Sequence, residues 1–84
     1  MHTVLLVEDE ELERVYLKTF FMQQCQEYSV IGEACNGREA IALNKNLHPD
    51  VIFMDIRMPG IDGLTASKLI KKDNPQTKII ILSA

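Results

Sequence analysis

Four short strand-like segments, three of them uninterrupted apolar runs, each separated from the next by enough chain for a helix, constrain this sequence more than any other feature. Val4, Leu5, Leu6 and Val7 form the first; residues 28–35, centred on Val30 and Ile31, the second; Val51, Ile52, Phe53 and Met54 the third; Ile79, Ile80, Ile81 and Leu82 the fourth. Uninterrupted apolar runs of this length suit strands buried on both faces, as in a parallel sheet covered by helices. The intervening segments read as helices. Leu12, Val15, Tyr16 and Phe20 recur at helical spacing, with Phe20, Phe21 and Met22 as the core-facing end. Ala40, Ile41 and Leu47 mark a second helix that ends near His48-Pro49, and Leu64, Ser67 and Ile70 a third, closed by Asp73-Asn74-Pro75. Asn36-Gly37 and Pro59-Gly60 are turn signals. The order is β-α-β-α-β-α-β, an α/β domain with a parallel sheet.

A chain of 84 residues makes a single domain. With 46% hydrophobic and 25% charged residues the composition is that of a soluble globular protein. With a net charge of −3 nothing suggests the basic stripe a nucleic-acid surface needs, and Lys71-Lys72 reads as a solvated helix face. No stretch approaches the roughly 20 apolar residues of a membrane span, and the start of the chain does not read as a signal peptide, so a cytoplasmic location is expected. Cys25 and Cys35 lack metal-ligand spacing and are expected to be free thiols.

Carboxylates follow the strands: Glu8 and Asp9 the first, Asp55 the third. All strands of a parallel sheet end on one edge, where open α/β sheets place their ligands, so the three acids meet if the first and third strands are neighbours. Clustered carboxylates repel, and without a cation at least one is expected to hold its proton more tightly. A hard divalent cation such as Mg²⁺ removes that cost through one or two carboxylates plus water and phosphate oxygens. Asp55 follows four apolar residues directly, so a buried strand holds it rigidly while its oxygens reach the rim, as a carboxylate nucleophile for phosphoryl transfer requires. Ser83 ends the fourth strand on the same edge, where its hydroxyl can donate to a phosphoryl oxygen, and the small Ala84 leaves room beside it.

These residues resemble the three signature blocks of response-regulator receiver domains: the apolar run into Glu8-Asp9-Glu10; the third strand into Asp55-Ile56-Arg57-Met58-Pro59-Gly60-Ile61-Asp62-Gly63; and the fourth into Ser83-Ala84. The middle block is the most specific, and the resemblance covers the whole chain. It implies a flavodoxin-like doubly wound parallel sheet of order 2-1-3-4, with residues 1–84 as a receiver domain lacking the family's last helix-strand-helix. It implies that Asp55 is the phospho-acceptor, charged from a phosphohistidine on a sensor histidine kinase. Asp9 would hold Mg²⁺ directly, Glu8 through water, and the backbone carbonyl of Arg57 would add a ligand. Ser83 would be the switch hydroxyl, and Asp62 a turn or cap residue.

The family's phosphate-pairing lysine precedes a fifth strand, and none of Lys18, Lys45, Lys68, Lys71, Lys72 or Lys78 falls at that place. Weakened phosphate stabilisation is therefore expected. An apolar fourth strand left at the sheet edge invites pairing with another chain, so self-association through that edge, element swapping with a second copy, or a marginally folded chain is a further expectation. The competing reading is an interaction or assembly module that keeps the fold with weak or no phosphotransfer. A nucleotide- or flavin-binding domain fits poorly, because acids, and no glycine-rich phosphate loop, follow the first strand.

Overall fold

The structure, a computed structural model, describes residues 1–55, 60 and 63–82. They run β1 (His2–Val7), α1 (Glu11–Gln24), β2 (Tyr28–Ala34), α2 (Gly37–Leu47), β3 (Val51–Asp55), α3 (Gly63–Asp73) and β4 (Lys78–Leu82). The strands form one parallel sheet in the order β2-β1-β3-β4, the order implied by the family resemblance. β1 begins earlier than its apolar run, at His2, whose N–H donates to the Glu27 carbonyl at 2.8 Å. Next to it the Thr3 N–H donates to Asp50 Oδ2 at 2.8 Å.

Side chains alternate between the two faces of a strand, and this sorts the core into two clusters. Val4, Leu6 and Val51 face α1 and pack with Phe21, against which Phe53 and Tyr28 lean. The Phe21 and Phe53 rings meet edge-on at 4.8 Å. Leu5, Val7, Ile52 and Met54 face α2 and α3 and pack with Ala40, Ala66 and Ile70. Met54 is therefore a packing residue directly before Asp55.

The apolar face expected for α1 needs correction. Leu12, Val15, Tyr16 and Phe20 are all exposed, Leu12 at 84%, and of the expected core-facing end only Phe21 is buried. The helix carries apolar residues around much of its circumference, so more than one set fits helical spacing. The set that meets the sheet is Leu17 and Phe21, continued by Cys25 at the C-cap.

Between β2 and α2, Asn36 is an N-cap whose Oδ1 accepts from the Glu39 N–H at 2.9 Å, and Glu39 Oε1 accepts from the Cys35 N–H at 2.9 Å. α2 closes on His48, which takes the left-handed conformation at φ 46°. Asn44, Asn74 and Thr77 are buried below the sheet. The Asn74 amide donates to Asn44 Oδ1 at 3.2 Å and to the Pro49 carbonyl at 3.3 Å. Lys71 is not simply solvated: its ammonium donates to the carbonyls of Pro75 and Thr77, tying the end of α3 to the turn before β4. Gly32 marks a close approach, because a Cβ there would lie 3.0 Å from Leu47 Cδ1 and 3.2 Å from Leu5 Cδ1. Cys25 and Cys35 are free.

Candidate metal and phosphoryl site

The chain leaves β1 for β2 on one side and later reaches β3 on the other, so the strand order reverses between the carboxyl ends of β1 and β3. Ligands bind at such a switch point. The register shows why Glu8 and Asp55 meet there. Val4, Leu5, Leu6 and Val7 pair in turn with Val51, Ile52, Phe53 and Met54. One further step along the ladder sets Glu8 beside Asp55, and period two places both on the side of Leu6 and Phe53. Both acids are 6% exposed. Like charges directly opposite each other on neighbouring strands destabilise a sheet, so the backbone forces an unfavourable pair at this rim.

Asp9 completes the group from an exposed position just beyond. A carboxylate oxygen from each of Glu8, Asp9 and Asp55 lies within 4.8 Å of the other two. The strain is visible in Glu8, whose carboxyl is pushed up to about 7, first by burial, then by a hydrogen bond with Asp55 and by the Asp55 charge. The Asp9 charge adds to this, and the Glu10 N–H, 3.4 Å from Glu8 Oε1, opposes it. A hydrogen bond therefore links the Glu8 carboxyl to Asp55 across the rim. Three carboxylate oxygens this close are a donor set that suits Mg²⁺.

Glu8 is held at both backbone ends. Its N–H donates to the Ala34 carbonyl at 3.0 Å, and its own carbonyl accepts from Arg14 Nη1 at 2.8 Å. Nothing in the sequence singles out Arg14, because its partners are fixed only by the packing of α1 on the sheet. Arg57 and Ser83, together with Met58, Pro59, Asp62 and Ala84, lie outside the described residues. Leu82 pairs with Asp55, so β4 reaches the level of the site at its last described residue. Gly60, in the segment after β3, takes φ 84°, which only glycine adopts without strain.

The fold is a doubly wound α/β domain whose parallel sheet gathers three carboxylates at its switch point. Residues 4–84 match the model of the response regulator receiver domain. The response regulator protein VraR of Staphylococcus aureus is 41% identical over 81 residues, which are 96% of this chain and 38% of that protein. Among solved structures, the response regulator domain of Thermotoga maritima CheB superposes with a TM-score of 0.90 at 40% identity, covering 99% of this chain and 60% of that one. A chain of the CheX-CheY-BeF3-Mg²⁺ complex from Borrelia burgdorferi reaches 0.91 at 29% identity, over 99% of this chain and 62% of that one. The chain belongs to the response regulator receiver domain family. It spans less than half the length of the curated relative it matches. No helix among the described residues is long and apolar enough to cross a membrane.

Proposed function

We propose that the chain is a cytoplasmic phospho-acceptor of a two-component phosphorelay, in which Asp55 receives a phosphoryl group from a phosphohistidine on a sensor histidine kinase. The observation that carries this reading is the convergence of Glu8, Asp9 and Asp55 within 4.8 Å at the carboxyl ends of adjacent strands. Glu8, Asp9, Asp55 and the backbone carbonyl of Arg57 would hold Mg²⁺. When bound, Mg²⁺ supplies positive charge against the acceptor carboxylate and the phosphoryl oxygens.

In the transfer, a carboxylate oxygen of Asp55 forms a bond to phosphorus as the phosphorus–nitrogen bond of the donor breaks, and the electron pair leaves with the imidazole. The chain's contribution is position: β3, paired on both sides by β1 and β4, fixes Asp55 for in-line attack. Ser83 acts as the switch hydroxyl, donating to a phosphoryl oxygen. A solved relative carries BeF3 and Mg²⁺ together, which supports the same chemistry here.

Incubation with a small phosphodonor tests the reading by intact-mass spectrometry. One phosphoryl adduct is expected with Mg²⁺, and none after chelation or in Asp55→Asn. An adduct that survives in Asp55→Asn overturns the assignment. A second reading, self-association through β4, is favoured by the exposure of Ile80 and Ile81 on this strand, which is at the sheet edge among the described residues. A concentration-independent monomer in sedimentation contradicts it.

A further inference from the structure

Arg14 sits one turn into α1 and its side chain holds the acidic loop by a backbone carbonyl. Its Nη1 donates to the Glu8 carbonyl at 2.8 Å, and its Nε lies 3.8 Å from Glu33 Oε1 on β2. The other Glu33 oxygen is 3.1 Å from Lys18 Nζ. The Arg14 side chain is 19% exposed, so the guanidinium is largely enclosed between helix, loop and strand.

We propose that Arg14 is a positioning residue for the cation site, setting the affinity of Glu8, Asp9 and Asp55 for a divalent ion without touching it. The inference rests on the cation-site reading given above. The Glu8 carbonyl belongs to the peptide that joins Glu8 to Asp9. A donor on that oxygen fixes the peptide plane, and with it the direction in which Asp9 leaves the strand. The Glu8 N–H is already held by Ala34, so Arg14 closes the remaining freedom of the residue linking the two acids.

The guanidinium is planar, with its donors in a fixed fork. One donor of the fork holds the loop carbonyl while its Nε forms a looser ion pair with the Glu33 carboxylate, so the loop is referenced to β2. Glu33 has a second effect. It faces the Arg14 charge, which keeps this cation turned away from the carboxylates that a metal ion would use. Groups that orient metal ligands from outside the coordination sphere typically change metal affinity by roughly 10- to 100-fold when removed.

The test is Mg²⁺ titration of the whole chain by isothermal calorimetry, with circular dichroism establishing that each variant is folded. Arg14→Met is expected to weaken Mg²⁺ binding roughly tenfold, and Arg14→Lys, which keeps the charge and one donor but loses the fork, to recover part of that loss. Glu33→Gln is expected to weaken binding as well, because Arg14 is then free to turn toward the acids. Asp9→Asn, which removes a proposed ligand, is expected to weaken binding more than any of these. If Arg14→Met does not fold, Arg14→Lys and Glu33→Gln decide the question. Wild-type affinity in the Arg14 and Glu33 variants, with loss in Asp9→Asn, overturns the positioning role and leaves the cation site standing. Absence of Mg²⁺ binding to the wild type overturns both.

Discussion

Removing the charge of Asp55 should make the metal-free protein more stable above neutral pH, although Asp55 is the residue on which the function rests. In the unfolded chain Glu8 loses its proton near 4.5, and in the folded chain near 7. Below about 4.5 both states are protonated and the stability Glu8 contributes is fully present. Between these values only the unfolded chain releases the proton, so stability falls as pH rises, and above about 7 the contribution is gone. A difference of this size corresponds to about 3 kcal/mol. Solvent reaches the group only beside the exposed Asp9, and this partial screening leaves about 1–2 kcal/mol. Burial remains in Asp55→Asn, but the Asp55 charge does not, so the variant should exceed wild type by about 1 kcal/mol at pH 8 without metal and match it near pH 5. Mg²⁺ should then invert the ranking. Ten times its dissociation constant stabilises a binding-competent protein by about 1.4 kcal/mol, and the variant, lacking one of the three carboxylates, should gain little. The chain has no tryptophan, so urea unfolding is best followed by far-ultraviolet circular dichroism. A wild type that becomes more stable between pH 5 and 8 without metal, or a variant less stable than wild type at pH 8, would refute the electrostatic reasoning.

Substitutions at three further positions test the frame that carries the site. Asn36→Ala removes the side-chain acceptor for the Glu39 N–H and should cost about 1 kcal/mol in denaturant unfolding. Gly32→Val forces side-chain atoms into the contact with Leu47 and Leu5 and should lower stability by about 1–3 kcal/mol; an unchanged midpoint would show that α2 yields freely. His48→Gly relieves the left-handed backbone at the end of α2 and should raise the melting temperature slightly, a gain of under about 1 kcal/mol, whereas His48→Val should lower it.

The sheet was legible because three of its strands carry uninterrupted apolar runs, so those ending at Val7, Met54 and Leu82 stood out without any alternation to interpret. Polar ends were not. His2 and Thr3 belong to β1 through partners on distant segments, Glu27 and Asp50. α1 was legible as a helix but not in its orientation, since its exposed side carries Leu12, Tyr16 and Phe20 while Leu17 and Phe21 meet the sheet. The acids were legible as a group from their places after strands. That Glu8, more than Asp9, opposes Asp55 depends on the β1–β3 register, which no local pattern encodes. The Arg14 link to the Glu8 carbonyl is likewise a product of helix-on-sheet packing.

Fluorine NMR of the chain with fluoroberyllate examines the acceptor site most directly, because a relative holds BeF3 together with Mg²⁺. Protected fluorine resonances should appear for the wild type when Mg²⁺ is present, disappear on chelation, and be missing from Asp55→Asn. Resonances that persist without the metal or without the Asp55 carboxylate, or that never form in the wild type, would contradict a phospho-acceptor centred on Asp55.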